Sequence, residues 1–182
     1  MREENPDSIT RIMVYGVTGS GKTTLARKIG EATGLPWHTV DDLTWDPGWV
    51  QVPVEIQRNR IQAICDQPRW VLDTAYGTWR DIPLAKVQLI VALDYPRWIS
   101  LFRLARRTLL RVIDKKPICN GNHETFKGTL SRDSIILWHF KSFKSKHNRI
   151  VEWEANPAGP QVLRFRRPKD VEAWLNNLSR VE

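Results

Sequence analysis

The sequence predicts an α/β protein in three layers, a parallel sheet with helices on both faces. Short apolar runs of strand length alternate with stretches of helical spacing along the chain. No linker or low-complexity segment interrupts that alternation, and the first strand runs straight into glycines. Strands of this apolar kind, buried on both faces, belong to parallel sheets.

Each element follows from its residues. Arg11 to Gly16 reads as a short buried strand. Lys22 to Thr33 has helical spacing at Leu25, Ile29 and Ala32, and Gly34 is placed to end it. Leu35 to Val40 reads as a second strand, followed by a loop with Pro47, Gly48 and Pro53. Ile56, Ile61 and Ile64 mark a helix from about Val54 to Asp66. Trp70 to Asp73 is the third strand and Val87 to Asp94 the fourth. Pro96 suits the first turn of a long helix reaching about Ile113. Residues 114–128 are loop-like, 129–146 helical, Gln161 to Arg166 the fifth strand, and Lys169 to Leu178 a closing helix opened by Pro168.

Composition bounds the function. The 182 residues, 41% hydrophobic and 26% charged, suit a single domain over 1–182. Two cysteines, Cys65 and Cys119, exclude a disulfide framework and a four-cysteine zinc site, and the expected setting is reducing and cytoplasmic. The polar start has no signal-peptide stretch, and Leu89 to Leu93 is far short of the roughly 20 apolar residues of a membrane helix. No membrane partner is expected. The net charge of +8 is uneven: −2 over residues 1–96, +11 over 97–167 and −1 over 168–182. The excess therefore lies in an interior segment, and nucleic acid or a phosphorylated small ligand would each suit it.

Gly16-Val17-Thr18-Gly19-Ser20-Gly21-Lys22-Thr23 matches the phosphate-binding loop G-x-x-x-x-G-K-[ST] in full, between a strand and a helix. Glycines let successive amides turn towards one anion, and the helix N-terminus adds its dipole. Lys22 is placed to bridge phosphate oxygens, and the Thr23 hydroxyl to ligate Mg²⁺. The expected cofactors are ATP and Mg²⁺, with Gly16, Thr18, Gly19, Ser20, Gly21, Lys22, Thr23 and Thr24 holding the nucleotide. No Asn-Lys-x-Asp guanine element and no strand ending in Asp-Glu is present, so GTPases and ring ATPases drop out. A P-loop phosphotransferase remains.

The loop with Leu25-Ala26 and Gly34-Leu35-Pro36 resembles the start of adenylate-kinase-like and shikimate-kinase-like proteins. Val40-Asp41-Asp42-Leu43-Thr44-Trp45, Pro47-Gly48-Trp49, Trp70 to Asp73 with Tyr76, Asn120 to Thr125 and Asp133 to Trp138 are similar to the adenylate-kinase-related topology modulation proteins. The resemblance runs from Arg11 to about Leu178. It implies a P-loop kinase fold with a helical lid insertion, ATP as phosphoryl donor and a small-molecule acceptor. The chain departs from adenylate kinases where they bind the monophosphate: Asp73-Thr74-Ala75-Tyr76 replaces Asp-Gly-Phe-Pro-Arg, which speaks against AMP.

Functional groups of an open parallel sheet gather beyond the carboxyl ends of its strands. Asp73 is expected as the acidic metal ligand beside Thr23, and Asp41, ending the second strand, as holder of the acceptor hydroxyl and base. Asp94, in Asp-x-Pro, reads as a helix opening. On the helix from Arg97, Trp98, Leu101, Phe102, Ala105, Leu109, Val112 and Ile113 form an apolar face expected to pack on the sheet. Arg103, Arg107 and Arg111, with Arg106 beside them, form the opposite, cationic stripe. By the kinase resemblance this stripe roots a basic lid-like segment over 97–150, with Arg103 and Arg107 clamping the transferred phosphate. Gly121 and Gly128 are the lid's expected hinges, and His123 and Glu124 candidate substrate contacts. Trp45, Trp49, Tyr76 and Trp79 would wall a flat acceptor and Arg80 would hold its charge, while the kinase resemblance implies that Arg166 and Arg167, after the fifth strand, lie near the adenine. Lys141, Lys144, Lys146 and Arg149 are expected beyond the reach of one ATP. That surplus leaves a nucleic-acid-binding ATPase open as an alternative, and a third reading is a nucleotide-binding regulator that keeps the loop without an efficient acceptor site.

Overall fold

Alternation within β1 (Arg11–Gly16) decides what covers each face of the sheet. Ile12 and Val14 point to one side, Met13 and Tyr15 to the other, and all four are buried. The computed structural model describes residues 9–48, 50–74, 76–114 and 135–178. After β1 come α1 (Lys22–Thr33), β2 (Trp37–Thr39), α2 (Val40–Thr44), a small hairpin of β3 (Trp45–Asp46) and β4 (Val50–Gln51), and α3 (Val54–Cys65). The chain continues through β5 (Trp70–Thr74), α4 (Asp81–Leu84), β6 (Leu89–Leu93), α5 (Arg97–Asp114), α6 (Ile135–Glu154), β7 (Gln161–Phe165) and α7 (Pro168–Leu178). Five strands pair in parallel in the order β2–β5–β1–β6–β7. The expected α/β fold with its five-stranded parallel sheet is present.

Leu25, Ala26 and Ile29 of α1 and Val171 of α7 join Ile12 and Val14 in one core. Ile61 of α3, Ile82 of α4, and Ile150 and Trp153 of α6 join Met13 and Tyr15 in the other. Burial of this apolar surface on both faces supplies the main drive to fold, about 25 cal/mol per Å².

The structure corrects several boundaries. Val40 leaves the second strand and opens α2, because its amide donates to the Asp73 carboxylate at 2.9 Å instead of continuing the ladder. Asp41 therefore lies in the first turn of a helix, not at a strand end. Helix α6 runs past residue 146 to Glu154, since Ile150 and Trp153 extend its buried face. Residues 115–134, with most of the expected lid and Gly121, His123, Glu124 and Gly128, lie outside the described residues, as does Trp49.

The largest correction concerns α5. The face turned inward carries Ser100, Leu104 and Thr108, all buried, with Arg103 and Arg107 alongside. The apolar face is the outer one: Trp98 is 70% exposed and Phe102 66%. The reason is steric. A Cβ added at Gly19 would lie 2.4 Å from the Ser100 carbonyl oxygen, so loop and helix backbones approach too closely for an aromatic between them. The apolar face expected to pack inward is thus on the outside, and the buried line of Ser100, Leu104 and Thr108 lies beside the cationic stripe, whose Arg103 and Arg106 are exposed.

Asp94 does more than open a helix. Its carboxylate, 8% exposed, receives Arg164 Nη2 at 2.7 Å and Nε at 2.9 Å, with His147 Nδ1 at 3.0 Å. Arg164 also reaches Glu154 at 2.6 Å. These bonds tie β6, β7 and α6 together. Removing one partner of a buried ion pair strands the other charge. Asp94→Ala is expected to cost about 3 kcal/mol, partly relieved by Glu154, and to lower the thermal midpoint by roughly 6–12 °C. A differential scanning melt checks this.

Candidate functional site

The glycine-rich loop owes its shape to two left-handed residues, Gly19 at φ 82° and Gly21 at φ 98°. It is clamped from below. Cβ atoms at Gly16 would lie 2.8 Å from the Leu93 carbonyl oxygen, so only glycine lets the loop sit on both β6 and α5. Gly21 caps α1 without a side-chain hydrogen bond, which leaves the first-turn amides to an outside acceptor, the usual setting for an anion.

Lys22 and Thr23 follow at the helix start. Lys22 Nζ donates to the Val17 carbonyl at 3.3 Å. Burial lowers its pKa, with Arg107 adding to the shift while Asp73 and Asp41 oppose it. The Thr23 hydroxyl donates to one oxygen of Asp73, and the Val40 amide to the other. Burial raises the Asp73 pKa; those two hydrogen bonds and Lys22 hold it back. Thr23 and Asp73 thus meet as the sequence predicts.

Beside α2, Trp45 Nε1 donates to the Tyr76 hydroxyl at 3.0 Å, and that hydroxyl donates to Asp41 Oδ1 at 3.4 Å. Burial, with the neighbouring Asp41 charge, pushes the Tyr76 phenol up to about 12, so it remains a donor near neutral pH. Asp41 itself is exposed. Trp79 is no part of this wall: it is fully buried and donates to Gln57 Oε1 at 3.1 Å.

From α5, Arg103 Nη1 donates to the Ser20 carbonyl at 3.3 Å and lies over the Tyr95 ring at 5.4 Å. Arg107 stands close enough to Lys22 to depress its basicity. Arg106 is exposed, as are Arg166, Arg167 and Thr24, while Thr18 is half-buried. The Ser100 hydroxyl donates to the Arg97 carbonyl at 3.0 Å. His139 Nε2 must then be the N–H that donates to Ser100 at 2.9 Å, locking α5 to α6 beside the loop.

The sequence reading grouped Lys146 with surplus cations beyond the reach of one ATP, whereas in the structure it turns inward onto Tyr15. Its ammonium lies 4.6 Å from the Tyr15 ring centroid, and Arg80 Nη1 donates to the Tyr15 hydroxyl at 3.4 Å. Burial lowers the Lys146 pKa to about 7, assisted by the charges of Lys22, Arg80 and Arg149. The available signal was periodic: His139, Phe143, Lys146, Ile150 and Trp153 share one face of α6, so Lys146 sits in an inward position.

Among the described residues, no three His, Cys, Asp or Glu side chains could hold a metal ion, and no helix is long and apolar enough to cross a membrane. No protein-family model matches the sequence, and no curated protein matches it. Solved structures do. A gluconokinase from Sinorhizobium meliloti 1021 superposes with TM-score 0.51 at 16% identity, over 94% of each chain. The shikimate kinase from Aquifex aeolicus gives 0.52 at 14% identity, over 92% of this chain and 95% of that one. At such identity the likeness is one of fold.

A lysine whose pKa falls on folding opposes the folded state while the unfolded chain keeps it protonated. That penalty is greatest near and below pH 7 and fades as pH rises towards 10. Lys146→Met is therefore expected to be more stable than the parent by about 1–3 kcal/mol at pH 7, with the gap narrowing by pH 9.5. Urea unfolding at the two pH values measures the difference.

Proposed function

We propose that this protein is an ATP-dependent phosphotransferase that moves the γ-phosphoryl group of ATP to a hydroxyl of a small acceptor. The carrying observation is the convergence at the carboxyl ends of β1 and β5. There, the glycine loop, Lys22 and the Thr23–Asp73 pair face Asp41 and Tyr76 across one edge of the sheet. The fold shared with the gluconokinase and the shikimate kinase agrees with this reading. So does the resemblance to the topology modulation group, with Asp41, Trp45 and Tyr76 replacing the monophosphate-binding residues of adenylate kinases.

The residues fit a hard divalent cation. One hydroxyl and one buried carboxylate are oxygen donors, and Mg²⁺ ordinarily keeps several waters and takes phosphate oxygens rather than an all-protein cage. Thr23 and Asp73 would hold it, and when bound it would neutralise charge on the phosphate oxygens. The protein's own share is positioning and electrostatics. The loop amides and Lys22 fix the donor phosphates. Arg103 and Arg107 face the loop from α5, where negative charge grows during transfer. Asp41 accepts the acceptor's proton as its oxygen attacks the γ-phosphorus, the bond to the β-bridging oxygen breaks, and ADP leaves. Tyr76 orients that carboxylate.

ADP release with Mg-ATP and a panel of nucleosides, nucleoside monophosphates and hydroxylated metabolites tests the reading. Turnover should require an acceptor; ADP release indifferent to every acceptor would overturn it. Lys22→Ala should lower kcat/KM by about 10²–10³-fold. Asp41→Asn should lower kcat by about 10²–10⁴-fold and leave ATP binding nearly unchanged.

A further inference from the structure

We infer that His139 of α6 is a positioning residue for the phosphate loop: through Ser100 it sets where α5 meets Gly19, and thereby how tightly the loop holds the phosphates of ATP. This rests on the phosphotransferase reading, which makes the loop the ATP site, and it adds to that site a residue that does not touch the nucleotide.

Gly19 lies directly on one turn of α5. A Cβ built there would meet the Ser100 carbonyl oxygen at 2.4 Å and Leu104 Cβ at 2.9 Å. Loop and helix are thus in backbone contact, with no side chain between them to absorb a shift. Movement of α5 towards the loop brings atoms into overlap, and movement away removes the support on which the left-handed Gly19 sits. On the loop side the same turn is held by Arg103, whose Nη1 donates to the Ser20 carbonyl at 3.3 Å. On the other side it is held by α6. His139 Nε2 donates to Ser100 Oγ at 2.9 Å, and the Arg97 guanidinium lies 4.7 Å from the Phe143 ring centroid. Helix α6 is itself anchored on the sheet by His147 on Asp94 and by Ile150 and Trp153 in the core. A chain of contacts therefore runs from β6 through α6 and Ser100 to Gly19.

Two features set His139 apart from ordinary packing. From Leu137 to Arg149 it is the one buried residue of α6, so this stretch meets α5 through an imidazole where a leucine would remove more apolar surface from water. Its Nδ1 is also buried with no hydrogen-bond partner among the described residues, a cost that an apolar side chain would not carry. Burial, with the Arg97 charge beside it, lowers the His139 pKa, so the ring is neutral near pH 7. A neutral ring has a single N–H, and that one goes to Ser100. What the imidazole supplies is direction: one aligned bond that fixes Ser100, and with it the carbonyl under Gly19.

Nucleotide affinity and thermal stability separate positioning from packing. Binding of the non-hydrolysable analogue AMP-PNP with Mg²⁺ is measured by calorimetry, and the thermal midpoint by scanning melts of the same samples. His139→Leu should weaken AMP-PNP about five- to tenfold, the worth of one hydrogen bond, with its midpoint unchanged or higher. His139→Gln, whose amide nitrogen reaches about as far as Nε2, should bind within about twofold of the parent. His139→Asn is shorter and should bind like His139→Leu. Ser100→Ala should match His139→Leu, and combining the two should bring no further loss, because both act through one bond. The inference falls if His139→Leu or Ser100→Ala binds as the parent does, if Gln fails to restore affinity, if the two losses simply add, or if affinity falls only in step with the midpoint. Should His139→Leu not fold, Gln against Asn and Ser100→Ala decide in the same way. Any of these failures leaves the phosphotransferase reading standing while the parent turns over with an acceptor. If the coupling holds but no acceptor of the panel gives ADP, that reading fails and the positioning role stands; a parent that binds no AMP-PNP overturns both.

Discussion

One carboxylate, that of Asp73, joins the three elements on which the site depends. One oxygen takes the Thr23 hydroxyl from the start of α1; the other takes the Val40 amide at the start of α2. The first bond fixes the phosphate loop's helix against β5. The second ends β2 and turns the chain into α2, which puts Asp41 within reach of Tyr76. A buried carboxylate with two donors is a stable anchor only while both donors remain, because each lost bond leaves charge without solvation. The phosphate loop and the Asp41–Tyr76 pair are thereby tied together through a single side chain.

The basic segment acquires a structural explanation as well. Arg103 and Arg107 turn towards the loop, Lys146 packs on the Tyr15 ring, and Arg164 closes an ion-pair network with Asp94 and Glu154. Four of the sixteen basic residues of 97–167 are thus engaged within the described part of the molecule. Lys141 and Lys144 stay on the exposed side of α6.

The fold was legible where periodicity and glycine chemistry speak directly. Five apolar runs became five parallel strands, and Gly16 to Thr23 formed the expected loop. The Thr23–Asp73 contact followed from the rule that ligands gather at carboxyl ends of strands. What escaped depended on pairs distant in sequence. No local pattern shows that Asp73 captures the Val40 amide, or that Arg80 and Lys146 meet at Tyr15. The outward turn of the apolar face of α5 has the same origin. Hydrophobic spacing finds two faces but not which of them the backbone of Gly19 will crowd. Trp79 misled for a related reason: an aromatic near a site reads as its wall until a buried partner, here Gln57, is known.

Helix α6 lays Lys146 on the Tyr15 ring and, one residue later, places His147 on Asp94. Sliding or rotating the helix to move one contact would break the other. A free lysine gives up about 1.5–2 kcal/mol of rotamer freedom when it is fixed on a ligand. Lys146, resting on the Tyr15 ring and registered by its neighbour, surrenders much of that freedom when the chain folds.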